Sequence, residues 1–232
     1  IYTIPVPVKS TGEYEASIDF GLNNLITLIT TKPNERPKLV SGRELKSINQ
    51  YYNKIISQKQ SLLNQGGETK SKKIDILWKR RNRKITHFTH SVSSQIIKYL
   101  TNTGISTLTI GWNNGFKDSI NIGRKNNQQF VQIPHAKLRE MLKYKAIQAG
   151  IEVIIQEESY TSKASFKNGD NIPIYNPNNP IKHSFTGRRI SRGLYRNKDK
   201  SIIHADVNGA WNILKKSKPT IGLSSGIIVM PE

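Results

Sequence analysis

Ala16-Ser17-Ile18-Asp19-Phe20-Gly21-Leu22-Asn23-Asn24-Leu25-Ile26-Thr27-Leu28-Ile29-Thr30 decides how the rest of the chain is read. Two apolar, β-rich runs flank the turn-prone Gly21-Leu22-Asn23-Asn24, the pattern of a β-hairpin. The first run carries an isolated carboxylate, Asp19, near its end. An unpaired buried carboxylate costs several kcal/mol. Asp19 is therefore expected to be salt-bridged, exposed at the strand end, or coordinating a cation; a turn aspartate bonding its own backbone is the plainer alternative.

Working outward, Pro37 to Ser41 reads as a third short strand, ended by Gly42. Leu45, Ile48, Tyr52, Ile55, Ile56, Leu62 and Leu63 recur at helical spacing between Arg43 and Asn64. Gln65-Gly66-Gly67-Glu68 stops that helix. A second is expected from Lys72 to Asn102, with Ile76, Leu77, Ile85, Phe88, Val92, Ile96, Ile97 and Leu100 as its buried stripe. Ser106 to Ile110, β-branched and bounded by Gly104 and Gly111, reads as a buried strand. Trp112 to Gln132 is polar and turn-rich. Pro134 then opens a helix reaching Gly150, and Ile151 to Gln156 is the next strand. A strand, helix, strand sequence of this kind predicts a parallel crossover whose two strands finish on the same sheet edge. Tyr160 to Lys200 lacks periodicity and is rich in Lys, Arg, Asn, Gly and Pro, so it reads as a long loop or small basic insert. Ile202 to Leu214 reads as a helix with Asp206 in its first turn. Together these elements predict an α/β protein with a mixed sheet: three antiparallel N-terminal strands, two parallel strands, and flanking helices.

The 232 residues carry a formal charge of +20. That excess points to a polyanion, nucleic acid ahead of an anionic membrane surface. No run approaches the roughly 18 apolar residues of a membrane span. The chain has no cysteine, which excludes disulfides and thiolate metal sites and is compatible with a reducing cytoplasm. It opens on Ile1 rather than Met, and Ile1 to Val8 already reads as a strand, so a portion of something longer is expected. Acids stand where such a fold gathers its strand ends: Asp19 on the first strand, Glu157 and Glu158 just after the last, and Asp206 at the closing helix. Carboxylates without cysteine or clustered histidine favour a hard cation, Mg2+ or Mn2+. Two such ions about 4 Å apart can drive in-line cleavage of a phosphodiester.

Ser17-Ile18-Asp19-Phe20-Gly21, Tyr160-Thr161-Ser162 and His204-Ala205-Asp206-Val207-Asn208-Gly209-Ala210-Trp211-Asn212-Ile213 resemble the first motif, the post-strand signature and the third motif of TnpB proteins, the RNA-guided nucleases of certain insertion sequences, related to type V CRISPR effectors. The resemblance runs from about Ala16 to Lys216. It implies an RNase H-like, RuvC-type nuclease domain over 1–159 and 201–218, with 160–200 as a basic insert in place of a zinc knuckle and 219–232 as a tail. It implies Asp19 and Asp206 as metal-binding aspartates, guide RNA and target DNA as partners, and metal-dependent DNA cleavage. A nuclease-dead repressor and a strand-transferring transposase are the competing expectations, and a monomer is the expected state.

Two departures from the family pattern matter. The family usually carries a glutamate at the end of the strand that here ends at Ile110, where this chain has Gly111. It also usually carries four zinc-binding cysteines between Thr161 and Asp206. With none here, no zinc is expected, because His183 and His204 alone cannot replace them. Neighbouring strands lie about 4.8 Å apart, a distance a glutamate can bridge, so Glu158, or Glu157 in its stead, is expected to lean over Gly111 and complete the metal site. Successive residues face opposite ways, so one of the two is expected to point away. Lys79, Arg80, Arg81, Arg83, Arg188, Arg189, Arg192 and Arg196 are the candidate nucleic-acid contacts, chosen by clustering.

Overall fold

A computed structural model of the chain describes residues 10–112, 132–179 and 181–220. β1 (Tyr14–Phe20), β2 (Asn24–Thr30), β3 (Lys38–Ser41), β4 (Ile105–Gly111) and β5 (Glu152–Gln156) form one sheet in the order β3-β2-β1-β4-β5. β1 pairs antiparallel with β2, and β2 with β3, as the hairpin reading requires; β4 runs parallel to both β1 and β5. The helices are α1 (Arg43–Gln65), α2 (Lys72–Thr103), α3 (His135–Gln148) and α4 (Ala205–Ser217). The mixed α/β sheet with flanking helices expected from the sequence is the sheet observed.

Side chains alternate across each strand, so the sheet has two unlike faces. Ala16, Ile18 and Phe20 of β1 join Leu108 and Ile110 of β4 in the main core, against Val92, Ile96 and Leu100 of α2 and Leu138 and Leu142 of α3. Ser17, Asp19, Thr109 and Gly111 face the other way, toward α4. That face is small and polar, which lets a helix lie close. The Ser17 hydroxyl donates to the Ala210 carbonyl at 2.6 Å, and Thr109 meets the Ser217 hydroxyl at 3.1 Å. Val207, Ala210, Trp211 and Leu214 anchor α4 against Ile29 and Phe166, with the Trp211 and Phe166 rings stacked at 5.0 Å. At roughly 1.5–3 kcal/mol for each fully buried large apolar side chain, this second core fixes α4 against the sheet face opposite the main core.

Two sequence expectations need correction. The basic stretch 160–200 is not one long loop: its described residues before Arg188 are turns and irregular chain, but β6 (Arg188–Ser191) and β7 (Leu194–Arg196) form a hairpin through Gly193, and β8 (Ile202–His204) completes a three-stranded antiparallel sheet in the order β6-β7-β8, as a small insert would. Ile202 to His204 therefore belongs to a strand, and the closing helix starts only at Ala205. The reason is local. Ile203 pairs with Tyr195 in the sheet, and His204 caps α4, its Nδ1 accepting the Asp206 N–H at 3.3 Å. Ile1 to Val8, most of the polar run Trp112 to Gln132, and residues 221–232 of the tail lie outside the described residues.

Candidate active site

Parallel register decides which residues can meet. Ile18 pairs with Ile110, and Gly111 with Gln156, so Asp19 and Gly111 end up side by side on the α4 face where β1 and β4 finish. Glu158 lies two residues beyond the end of β5. Its carboxylate leans back across β4: Oε2 sits 2.8 Å from where a Cβ on Gly111 would be, and Ile213 of α4 fills the other side of the same gap. Asp19 uses a second glycine. Its Oδ2 lies 2.8 Å from where a Cβ on Gly209 would be, so only a residue without a side chain lets α4 come this close. Asp206, one turn before Gly209, has Oδ2 held by the Asn24 side-chain amide at 2.9 Å, with the Arg189 guanidinium 3.7 Å from Oδ1. Asp19, Glu158 and Asp206 all line one cavity of about 1140 Å³, together with Asn24, Tyr160, Thr161, Arg189, Arg192 and His204.

The charges in this cavity oppose one another. Burial pushes the Asp19 carboxyl well above the usual range, and the neighbouring Glu158 and Asp206 carboxylates push it further, against Arg189 and the Phe20 backbone N–H. Burial, aided by Glu157, pushes Glu158 up to about 7, with Lys216 opposing. Glu157 points elsewhere. Burial works against its charge, but the Lys216 ammonium and the Ser159 N–H, which donates at 2.6 Å, hold its carboxyl below the usual value. Lys216, whose side chain is only 6% exposed, also donates to the Ser159 and Pro173 carbonyls at 3.1 Å each. Thr161 closes the turn on its far side, its hydroxyl donating to the Glu158 carbonyl at 2.8 Å.

Among the described residues, no three Asp, Glu, His or Cys side chains stand close enough together to enclose an ion as they are placed. The donor chemistry nevertheless fits a hard divalent cation. The cavity supplies carboxylate oxygens and no sulfur, two of the acids carry a charge penalty that a cation relieves, and two glycines clear the space.

Several residues of the closing motif that sequence reading singled out only by resemblance have definite work. Asn208, fully buried, donates to the Ala164 carbonyl at 2.7 Å and accepts from the Phe166 N–H at 3.0 Å. Asn212, also fully buried, donates to the Thr161 and Ala164 carbonyls at 2.8 and 2.7 Å. Both tie α4 to the segment that follows Glu158. Polar residues at these positions look like a solvent face in a helical pattern, and their burial becomes visible only once α4 is placed.

Of the clustered cations, Arg189 and Arg192 line the cavity, while Arg188 and Arg196 are register partners on the exposed β6–β7 hairpin. Lys79, Arg80 and Arg83 are exposed on α2. Arg81 is half-buried: its Nε donates to Asn49 at 3.0 Å and its guanidinium lies 5.3 Å from the Trp78 ring centre, which ties α2 to α1. Clustering missed Arg43 and Lys46 on the first turn of α1. They line a smaller cavity that shares Asn23 and Asn24 with the acid-lined one. Burial, then Arg192 and Arg43, lowers the Lys46 ammonium pKa, and Lys46 donates to Asn23.

Comparison with known proteins gives a consistent picture. The family described as OrfB_IS605, probable transposase, matches residues 2–115, and the Cas12f1-like TNB domain matches residues 135–213. The TnpB-like protein ORF457 of Acidianus two-tailed virus is 26% identical over 219 residues, covering 90% of this chain and 43% of the relative. Among solved structures, a CRISPR-Cas12f ternary complex aligns with a TM-score of 0.63 at 18% identity, over 96% of this chain and 42% of the other. A Cas12f1–sgRNA–target DNA complex aligns with a TM-score of 0.57 at 18% identity, over 95% and 52%. These alignments establish a shared fold, and the chain spans about half or less of the length of each of these relatives.

Proposed function

The chain belongs to the TnpB family of transposon-encoded proteins, and from that premise we propose that it carries the RuvC-type nuclease centre of an RNA-guided DNA endonuclease. The observation that carries the reading is that Asp19, Glu158 and Asp206 line one cavity, with Glu158 occupying the space above Gly111. Guide RNA and target DNA are the proposed partners, in keeping with the nucleic acids in the Cas12f1 complex that shares the fold. The target sequence is then read by base pairing, and the protein grips backbone and shape.

Asp19, Glu158 and Asp206 are the residues that would hold Mg2+ or Mn2+, a pair of which supplies an activated water and charge relief on the leaving oxygen. The rest of the work falls to this chain's own side chains. Thr161, Lys216 and Glu157 fix the turn that presents Glu158. Asn24 orients Asp206, and Gly209 lets α4 lie close against Asp19. Arg189 and Arg192, on the cavity wall, are placed to bind the phosphate that bears the bond to be cut.

A second reading, a nuclease-dead guided DNA binder, draws on the engagement of Asp206 by Asn24 and Arg189 and on the glycine at 111. Incubating the protein and its guide RNA with target plasmid, with and without Mg2+, separates the readings. Mg2+-dependent cutting that Asp19→Ala and Glu158→Ala abolish, and Glu157→Ala does not, is the expected result. Guided binding without cutting establishes the second reading, and joined strands a transposase.

A further inference from the structure

Tyr160 sits two residues beyond Glu158 and lines the same cavity. Its backbone has φ of 65°, a conformation that L side chains rarely adopt. Glycine or asparagine would hold this turn with less strain, so the position keeps a large ring at a local cost. Three other rings surround it. His183 lies at 5.0 Å, Phe185 at 5.9 Å and Tyr175 at 6.4 Å between ring centres, and the Lys163 ammonium is 5.7 Å from the centre of the Tyr160 ring. None of these rings is parallel to Tyr160: the interplanar angles are 75°, 41° and 59°. This differs from the buried Phe166–Trp211 pair, which is closed at 17°. None of the four rings belongs to a buried core cluster, and Tyr175 is 50% exposed. A partly buried aromatic group with Lys163 over the Tyr160 ring, on an acid-bearing cavity that Arg189 and Arg192 also line, offers what a single nucleic-acid strand needs: aromatic surface for a base and cations for its backbone.

We propose that Tyr160, framed by Tyr175, His183 and Phe185, is a stacking platform for one unpaired base of the single DNA strand entering the cavity. Glu158 and Tyr160 line the same cavity two residues apart, so the base held on Tyr160 belongs to a nucleotide close to the bond over the carboxylates. The platform sets which bond is cut. A duplex, whose bases are already stacked on one another, gains nothing from it. This proposal rests on the nuclease reading for its substrate, but its test does not rest on cutting.

The test is the affinity of the purified protein for a labelled single-stranded oligodeoxynucleotide in EDTA, with one abasic site walked along the strand. Stacking on an aromatic side chain predicts that the abasic site at one position weakens binding by about tenfold. Tyr160→Leu should weaken the intact strand by the same factor, erase the abasic penalty, and leave duplex affinity unchanged; Tyr160→Phe should bind as the wild type does. With Mg2+ added, Tyr160→Leu should scatter cuts over neighbouring bonds. A flat abasic walk on the wild-type protein overturns the platform without requiring any variant to fold, as does an abasic penalty that persists in Tyr160→Leu. A position-specific penalty in a protein that cuts nothing with Mg2+ upholds the platform and removes the nuclease reading alone.

Discussion

Gly111→Ala is the sharpest perturbation of the site. The added methyl would lie 2.5 Å from Ile213 Cδ1 and 2.8 Å from Glu158 Oε2, whereas ordinary contact begins near 3.4 Å. The Glu158 oxygen must therefore retreat by about 0.6 Å, and the Ile213 methyl by more. Both atoms lie at the ends of side chains, so the backbone is spared. Ile213 is fully buried, and crowding it should cost about 1 kcal/mol, a fall of ~2–4 °C in Tm for a chain of this size. The effect on chemistry should be larger. A misplacement of about 1 Å at a reacting centre can cost roughly a hundredfold in rate, so a shift of this size in a catalytic acid should slow cleavage about tenfold or more. Single-turnover cleavage of a guided target, paired with thermal unfolding of the same preparation, measures both. Wild-type cleavage by a folded Gly111→Ala protein would refute the placement of Glu158 in the reaction. A loss of several kcal/mol in stability would instead show that the gap over Gly111 is rigid, contrary to the side-chain ends seen there.

Gly209→Ala should separate stability from activity in the same direction and further. Alanine favours a helix interior by about 1 kcal/mol, which offsets part of the crowding against Asp19 Oδ2 at 2.8 Å, so Tm should move little while cleavage falls at least tenfold. Lys216→Met removes a donor from Glu157, which keeps the Ser159 N–H, and from two carbonyls, and should cost roughly 1–3 kcal/mol in chemical denaturation. The double variant with Glu157→Gln should lose less than the two single losses combined, because the pair is coupled. Tyr99 donates to Glu35 at 2.7 Å, and that hydrogen bond holds the Glu35 carboxyl below its usual value. Its contribution is present above the unfolded carboxylate pKa, near 4.5, and is lost as pH falls through the lower folded value. The stability gap between wild type and Tyr99→Phe, about 1 kcal/mol at neutral pH, should therefore close under acid, and urea melts at several pH values will show whether it does.

The parts of this fold that were legible in the sequence are those with a period. β1 of the Asp19 hairpin alternates every second residue, α1 and α2 repeat every three to four, and the apolar runs around Leu108 and Ile154 are short, the first bounded by glycine at both ends and the second opened by Gly150. The arrangement of the acids was legible for a related reason. Parallel strands that end on one edge bring the residues at and just after their ends together, so Asp19, Gly111 and Glu158 converge by counting, with no need of side-chain detail. The small sheet was not legible, because β6 to β8 are three or four residues long and pair Arg188 with Arg196 and Arg189 with Tyr195. A polar strand of that length has no period to read. β8 was concealed further, since Ile202 and Ile203 run directly into the apolar positions of α4. Most of the support around the acids was hidden too. Asn208, Asn212 and Lys216 are polar residues on buried turns of α4, and their partners, backbone groups of 159–173 and the Glu157 carboxylate, are announced by no pattern within the helix. The polar groups that hold α4 thus also hold the segment carrying Glu158 and Tyr160. A change anywhere along that segment should register first in the position of Glu158 over Gly111, before it registers in the stability of the sheet.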